Sequence, residues 1–209
     1  NQLEWYTKKR DELENQNGGV VPAIVFQHIP PIEVFDLLTQ VKRTKKDAVQ
    51  AFRNYKGKWY ILNKDRVNEN GFMGESPAVP DEDMHETEYF REKKDVLGIY
   101  FGHDHNNSFN GKVDGIDIGY TQGCGFNVYG PGLNRGVRIL EFDENDIKNY
   151  KTYDVRYKQL LGHKLKKPIK AFFYSHAPVN VYDAMNLAVK WLLILAFILA
   201  VIFIIKRFL

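Results

Sequence analysis

The stretch Val96-Leu97-Gly98-Ile99-Tyr100-Phe101-Gly102-His103-Asp104-His105 joins an apolar run to two histidines. The apolar run predicts a buried β-strand that ends at a glycine. Side chains alternate along an extended chain, so His103 and His105 are expected to point the same way and Asp104 elsewhere. Two neutral imidazoles that converge just past the end of a rigid strand suit a transition-metal site.

A second strand followed by a histidine occurs earlier in the chain. Val20 to Gln27 is dominated by Val, Ile and Phe and predicts a strand, which His28 follows directly. If the two strands are neighbours in one sheet, their C-terminal ends meet at one edge, where α/β proteins place ligand sites. Together the three histidines indicate metal ligation, although a lone histidine there would more often be structural. Solvated surface positions are expected for His85, His163 and His176.

The rest of the chain predicts a mixture of helices, strands and two unusual loops. The loop from Asn63 to Glu88 is long enough to be functional or disordered. The stretch from Gly119 to Gly136 carries six glycines, so its backbone is expected to pass close to another group or to adopt positive φ. Helices are expected over Gln2–Glu14, Ile32–Val41, Asp47–Tyr55 and Tyr89–Lys94, and strands over Val113–Tyr120, Gly136–Phe142 and Lys151–Tyr157.

Composition excludes several classes of protein. A chain of 209 residues is long enough for one full-sized domain. A net charge of +3, from 29 basic and 26 acidic residues, gives no concentrated basic character, so no nucleic-acid partner is expected. The single cysteine, Cys124, excludes an intrachain disulfide framework and a cysteine-based zinc site.

The C-terminal stretch predicts a single membrane span. Leu187 to Ile205 is apolar except for Lys190, and at about 1.5 Å per residue a helix of this length is about 28 Å long. A buried core helix is the alternative. Lys206 and Arg207 after the span favour a luminal or extracellular catalytic domain, whereas a cytosolic tail-anchored protein remains the other orientation.

Several segments resemble calcineurin-like metallophosphoesterases, and most closely their purple acid phosphatase-like branch. Val25-Phe26-Gln27-His28 matches the family's Val-x-x-His block, and Gly102-His103-Asp104-His105 matches its Gly-His-x-His block. The resemblance covers roughly residues 1 to 145. Further similar pieces are Phe26 to Pro31, Gly74-Glu75-Ser76-Pro77, Asn106 to Phe109, Tyr129-Gly130-Pro131-Gly132 and Arg135 to Glu141.

The resemblance implies a four-layer α/β/β/α sandwich, of mixed α/β (α+β) class, that hydrolyses phosphate esters at a dinuclear metal centre. Residues carried over by position place His28 and His103 on one metal ion and His105 on the other. The ions would be two divalent or trivalent transition metals, Fe, Zn or Mn. Asp104, Asn107 and Tyr120 are candidates for hydrogen bonding to the ligands or to substrate, and no catalytic residue is identified.

The family's earlier blocks, which supply Asp ligands and a Gly-Asn-His segment, do not occur in the sequence. Residues 1–157 are therefore expected to be the C-terminal half of a phosphoesterase domain, and the start at Asn1, inside a predicted helix, agrees with this. Residues 158–186 would form a basic juxtamembrane linker, 187–205 a transmembrane helix and 206–209 a short tail. Two alternatives stay open: a non-catalytic scaffold tethered to a membrane, and a mononuclear three-histidine zinc site.

Overall fold

Residues 2–208, which this computed structural model describes, form eleven strands and five α-helices joined by short 3-10 turns. The α-helices are α1 (Gln2–Asn17), α2 (Glu86–Lys93), α3 (Tyr157–Leu161), α4 (Pro168–Ser175) and α5 (Val181–Phe208). The strands are β1 (Ala23–Gln27), β2 (Leu38–Val41), β3 (Val49–Gln50), β4 (Trp59–Leu62), β5 (Phe72–Met73), β6 (Val96–Phe101), β7 (Asn107–Ser108), β8 (Asn110–Val113), β9 (Ile116–Tyr120), β10 (Gly136–Glu141) and β11 (Lys151–Arg156).

The apolar run before the second histidine block, Val96–Phe101, forms β6, an inner strand of the main sheet. β6 lies between β1 and β9 and runs parallel to both, and β8 completes the order β1-β6-β9-β8. Gln27 pairs with Phe101, so β1 and β6 end side by side. Gly98 is needed in β6, because a Cβ there would lie 2.4 Å from the Tyr150 hydroxyl oxygen. The condition for a shared edge, that the two strands are neighbours in one sheet, is therefore met.

The apolar core lies against this sheet. Ile99 and Ile118 contribute from β6 and β9, and Phe109 and Leu37 come from the connecting segments; all four are fully buried. Tyr6 of α1 packs against the same core and donates a hydrogen bond of 2.5 Å to Asp95 Oδ2 at the start of β6. This mixed arrangement of helices and several sheets, with an apolar C-terminal helix, confirms the predicted fold class.

Two predicted helices are wrong. Ile32–Val41 forms a 3-10 turn over Ile32–Leu37 and then strand β2, which pairs with β4. Asp47–Tyr55 forms strand β3, also on β4, and a short 3-10 turn. Pairing with β4, distant in sequence, outweighs local helix propensity in both segments. Asp47 and Arg53 also have positive φ (62° and 51°), which interrupts a right-handed helix.

The two loops singled out in the sequence are ordered. The long loop contains strand β5, which pairs with β7 directly after the second histidine block. The glycine-rich loop, residues 121–135, connects β9 to β10. Predicted strand Val113–Tyr120 proves to be the end of β8, a turn and β9. Asp114 and Gly115 form that turn, both with positive φ.

The C-terminal part contains one helix that is long and apolar enough to cross a membrane. This segment, Val181–Arg207, has none of its apolar window buried in the structure, in contrast to a core helix. Large side chains along it are exposed, including Phe197 at 71%. The preceding stretch, residues 158–186, contains most of α3 and all of α4 rather than an irregular connection.

Candidate metal-binding corner

His28 and His103 lie in contact at the adjacent ends of β1 and β6. His28 Nε2 is 3.1 Å from His103 Nδ1, and the two rings meet edge to face with centroids 4.8 Å apart. A tight turn after β6 produces this contact, because His103 has a φ of 64° and the Asp104 amide donates to the Gly102 carbonyl at 2.8 Å. Left-handed backbone is uncommon for a residue with a side chain.

The separation of the two nitrogen atoms fits shared ligation of one metal ion. Two imidazole nitrogens bound at about 2.0–2.1 Å, at tetrahedral or octahedral angles, lie about 2.9–3.4 Å apart. The observed 3.1 Å is a hydrogen-bond distance between the two imidazoles and also falls inside this range. His28 is exposed, and a cleft of about 370 Å³ lies beside it, with Glu82, Asp83 and Glu86 on its wall. The pair therefore has the spacing that a bound ion requires, and His28 faces an open cleft.

His105 belongs to a different environment. Its Nδ1 is 3.1 Å from the Tyr129 carbonyl oxygen, and its ring stacks on the Tyr129 ring at 4.5 Å. Gly123 also passes close to His105, since a Cβ there would lie 3.0 Å from His105 Cβ. A carbonyl can only accept, so Nδ1 donates here, and in the neutral imidazole Nε2 then keeps its lone pair free for a ligand.

The side chains of His103, Asp104 and His105 therefore do not alternate in direction as expected, because His103 and His105 do not share one environment. β6 ends at Phe101, and the turn at His103 replaces the extended chain over which alternation would hold. His103 joins His28, whereas His105 packs under the glycine-rich loop. We find the three histidines at one edge of the sheet but in two separate settings.

The three histidines, His28, His103 and His105, lie at one corner of the sheet, which we call the histidine corner. Asp104 and Tyr120 form a buried link behind it. Asp104 is 3% exposed, and its Oδ2 accepts hydrogen bonds from the Ala78 amide at 2.9 Å and from the Tyr120 hydroxyl. Burial raises the pKa of Asp104, and burial followed by the neighbouring Asp104 raises the pKa of Tyr120 well above its usual range. Tyr120 is fully buried, so these contacts join the turn to the long loop and to β9 without facing open solvent.

Asn107 and Glu75 join the long loop to the same turn. Asn107 Oδ1 accepts hydrogen bonds from the Gly74 and Glu75 amides at 3.1 and 3.2 Å. Glu75 is 5% exposed; its Oε1 accepts from the Asn106 amide at 2.7 Å and its Oε2 from the Tyr129 hydroxyl at 3.1 Å. Burial raises the pKa of Glu75 to about 7. Glu75 thus contacts both the turn and the aromatic ring that covers His105.

Sequence reasoning did not assign a role to Glu75. The residue lies in Gly74-Glu75-Ser76-Pro77, a piece that contributes to the family resemblance, but inside a loop with no periodic pattern. Its partner Tyr129 is 54 residues away. That resemblance is the one signal that could have marked Glu75 before the structure was known.

Arg135 holds the glycine-rich loop in shape. Its fully buried guanidinium donates to the Gly125 carbonyl and, at 2.7 Å, to the Val128 carbonyl, and it lies 5.0 Å from the Phe126 ring centre. Gly130 passes so close that a Cβ would lie 2.6 Å from Arg135 Nη1. The predicted close approach of this backbone to other groups is confirmed here and at His105.

A complete metal site is not assembled within residues 2–208. Within that range, no group of three or more His, Cys, Asp or Glu side chains could hold a metal ion. The mononuclear three-histidine alternative is therefore not formed by the described residues. His85 is exposed beside Asp83 and Glu88, and His176 Nδ1 donates to the Phe172 carbonyl at 2.8 Å.

Comparison with known proteins finds distant relatives. The chain is 26% identical over 151 residues to the Arabidopsis thaliana protein named probable inactive purple acid phosphatase 29. This alignment covers 68% of this chain and 32% of the relative. It is 27% identical over 148 residues to probable inactive purple acid phosphatase 14 of the same plant, over 67% of this chain and 30% of the relative.

The matched region spans about a third of each of these curated relatives. No family model and no solved structure matches the chain. The sequence similarity is therefore distant and partial, and it suggests the metallophosphoesterase superfamily through proteins that are purple acid phosphatase-like.

Proposed function

We propose that this chain supplies the histidine half of a dinuclear metal site in a membrane-anchored phosphoesterase of the calcineurin-like superfamily. The observation that carries the proposal is the 3.1 Å contact between His28 Nε2 and His103 Nδ1 at two adjacent strand ends. The resemblance assigns these two residues to one metal ion and His105 to the other. The hydrogen bond from His105 Nδ1 to Tyr129 supports this division, because it leaves Nε2 free.

Such a centre would use its two ions to bind a phosphate ester and to lower the pKa of a bound water. The described residues would hold part of each ion's ligand set: His28 and His103 for the first ion, and His105 for the second. Their neutral imidazoles suit Fe, Zn or Mn. In this proposal the chain's own contribution is to fix ligand positions through the turn after β6 and through the glycine-rich loop.

The proposal assigns the carboxylate ligands to chain outside residues 2–208. β1 is an edge strand, and no described strand pairs with its outer side. Phe26 on this strand is 70% exposed, which is unusual for a phenylalanine in a strand of the central sheet. An unpaired strand edge of this kind can accept a further strand, next to His28. Both relatives are about three times as long as the region they share with this chain.

A non-catalytic scaffold is the second candidate function. Two observations favour it: both relatives carry the word inactive in their names, and residues 2–208 contain no three-residue metal group. In this alternative the same fold would serve as a binding module tethered to a membrane. The two functions differ in whether the histidine pair binds metal and whether the full-length protein hydrolyses phosphate esters.

Replacing His103 by alanine is expected to weaken metal binding at least about tenfold, because one of two converging nitrogen ligands is lost. Titration of the 209-residue chain with Co²⁺, followed by visible absorption, measures the change. His163→Ala is the matched control, since His163 is exposed and distant in sequence from the corner. Equal Co²⁺ affinity of wild type and His103→Ala would contradict the proposed site. Hydrolysis of p-nitrophenyl phosphate by the natural full-length protein, and its loss in His103→Ala, would separate the enzyme from the scaffold.

We further propose that α5 crosses the membrane once, with the globular part on the luminal or extracellular side. Lys206 and Arg207 follow the apolar helix, as expected for a cytosolic end, whereas Lys190 and the lysines of residues 158–170 before the span favour the opposite, tail-anchored orientation. In the proposed orientation, added protease on sealed vesicles with the cytosolic face outward should remove a C-terminal tag and spare the globular part. Digestion of the globular part with the tag protected would instead establish the tail-anchored orientation.

A further inference from the structure

Helix α4 has one face on the protein and one apolar face in solvent. Ala171 is 4% exposed, and the Tyr174 carbonyl accepts a hydrogen bond from the Gly130 amide at 3.3 Å. On the opposite face, Ile169, Phe172 and Phe173 are 75%, 59% and 68% exposed. Spacings of three and four residues place these three side chains in one stripe along the helix. A contiguous exposed apolar stripe is typical of a surface that another molecule covers.

The segment that carries this stripe is strongly basic. From Tyr157 to Tyr182 the sequence contains five lysines and no acidic residue. Lys170 is held on the protein side, where its Nζ donates to Asn127 Oδ1 at 2.9 Å. The other four lysines are exposed. Two apolar residues of α3 are exposed as well: Leu160 at 69% and Leu161 at 60%. The four exposed lysines are Lys158, Lys164, Lys166 and Lys167.

Continuity with α5 indicates what covers this surface. Only residues 176–180 separate α4 from α5. Six residues of α5 precede the apolar span at Leu187, and at about 1.5 Å per residue they extend about 9 Å. The headgroup layer on each side of a bilayer is about 5–8 Å thick. A helix that crosses the membrane therefore places Val181 at the outer edge of the lipid headgroups, and the five-residue connection keeps α4 within reach of the membrane surface.

We propose that residues 157–176, the α3–α4 segment, bind the surface of a bilayer that contains anionic phospholipids. The apolar stripe of Ile169, Phe172 and Phe173 would enter the interface, and the exposed lysines would contact the lipid phosphates. This inference rests on the proposed membrane anchoring but not on its orientation, because the α3–α4 segment lies on the same side of α5 as the globular part in both orientations. Anionic phospholipids are most abundant in cytosolic leaflets, so the tail-anchored orientation would give the stronger binding. Apolar and basic groups together fit this partner, whereas a contact with a second copy of the chain would bring like-charged lysines together.

Binding of α4 to the membrane would also fix the position of the histidine corner. The backbone of α4, which carries the apolar stripe, accepts a hydrogen bond from the Gly130 amide. Gly130 follows Tyr129, whose ring stacks on His105. Ser175 packs beside Gly132 in the same loop. The corner and the membrane-binding segment are therefore joined through one short loop, so that a bilayer surface would hold the corner at a fixed distance.

The test uses the full chain in vesicles, with the fluorophore NBD attached to a cysteine at Phe172 in a Cys124→Ser background. The expected result is a blue-shifted, severalfold stronger NBD emission that lipids with a quencher near the headgroup reduce. The same label on Lys45→Cys, in an exposed loop, is the matched control and should keep its aqueous emission. Adding phosphatidylserine to phosphatidylcholine vesicles should strengthen the effect, and high salt should weaken it.

Removal of the lysine charges distinguishes contact with lipid from contact with protein. Changing Lys164, Lys166 and Lys167 to glutamine should abolish the phosphatidylserine dependence, whereas changing Lys42, Lys45 and Lys46 should leave it intact. A blue shift that lipid quenchers do not reduce would indicate protein contact and overturn the inference. Aqueous emission from position 172 would overturn it as well, and flotation of the same vesicles reports separately whether α5 has inserted.

Discussion

Replacing Arg135 by alanine is expected to reduce the free energy of unfolding by about 2–4 kcal/mol. The guanidinium is fully buried and donates to two loop carbonyls, those of Gly125 and Val128. Hydrogen bonds from a charged group contribute about 1.5–3 kcal/mol each. Both carbonyls belong to exposed residues and regain water when the guanidinium is removed, which keeps the loss below the sum of the two bonds. Urea unfolding of the full chain in detergent, followed by near-UV circular dichroism, measures the change.

The same substitution is expected to loosen the cover over His105. Tyr129 lies between Val128 and Gly130, which both contact Arg135, so loss of the guanidinium frees the ring that stacks on His105. Amide hydrogen exchange of residues 122–131 should rise while that of β6 stays unchanged. Arg135→Lys should give an intermediate result, because an ammonium keeps the charge but loses the planar fork. Exchange that rises equally in β6 would mean global destabilisation and would contradict this loop-specific role.

The meeting of His28 with the second histidine block could be predicted because parallel strands end at the same edge of a sheet. Each histidine follows an apolar strand, and the structure pairs Gln27 with Phe101 immediately before them. This prediction needed the identity and direction of two strands and the assumption that they are neighbours, which the structure supplies. Apolar runs that end at glycine or proline determine both features locally. The C-terminal helix was predictable for the same reason, since its length and composition are properties of one contiguous segment.

The separation of His103 from His105 could not be predicted by the same reasoning. It depends on a φ of 64° at His103, which no residue pattern in the histidine block requires. Strand alternation ceases where β6 ends at Phe101, and the sequence marks that end only by Gly102. The two failed helices have a related cause. Leu38–Val41 and Val49–Gln50 are strands because both pair with β4, which local propensity does not report.

The residues that support the corner have partners that are distant in sequence. Glu75 contacts Asn106 and Tyr129, which are 31 and 54 residues away. Arg135 lies in a segment that resembles the family. Its burial, however, depends on how residues 125–130 fold around its guanidinium, which the sequence does not show. Residues whose role depends on long-range contacts leave no periodic pattern, so the ligand candidates could be predicted from sequence and their surroundings could not.

Replacing Glu75 by glutamine is expected to remove a pH dependence of stability that the wild-type chain shows between about pH 4.5 and 7. Burial raises the pKa of Glu75 from 4.5 to about 7 in the folded state. Below pH 4.5 both folded and unfolded chains hold the proton, and there is no difference. As pH rises, the unfolded chain releases the proton first, so this carboxyl lowers stability progressively until the folded chain also ionises near pH 7.

The size of this effect follows from the separation of the two pKa values, at about 1.36 kcal/mol for each pKa unit. Relative to pH 4.5, the wild-type chain should lose roughly 3 kcal/mol of unfolding free energy above pH 7 through this group. Glutamine resembles the protonated carboxyl and keeps an oxygen that accepts from the Asn106 amide, so Glu75→Gln should be more stable than wild type above pH 7 and equal to it near pH 4.5.

The measurement is urea unfolding of the metal-free chain at several pH values, with the difference between variant and wild type as the result. Glu69→Gln is the matched control, because Glu69 is an exposed carboxylate in the same long loop. If the unfolding free energies of wild type and Glu75→Gln, plotted against pH, stay parallel from pH 4.5 to 8, the carboxyl of Glu75 is not held protonated by burial and the prediction is contradicted. A destabilised neutral-pH state in Glu75→Gln would instead mean that Glu75 is ionised there and that the Tyr129 hydroxyl and the Asn106 amide together offset its burial. The sign of the difference therefore identifies the charge on the group that supports the cover over His105.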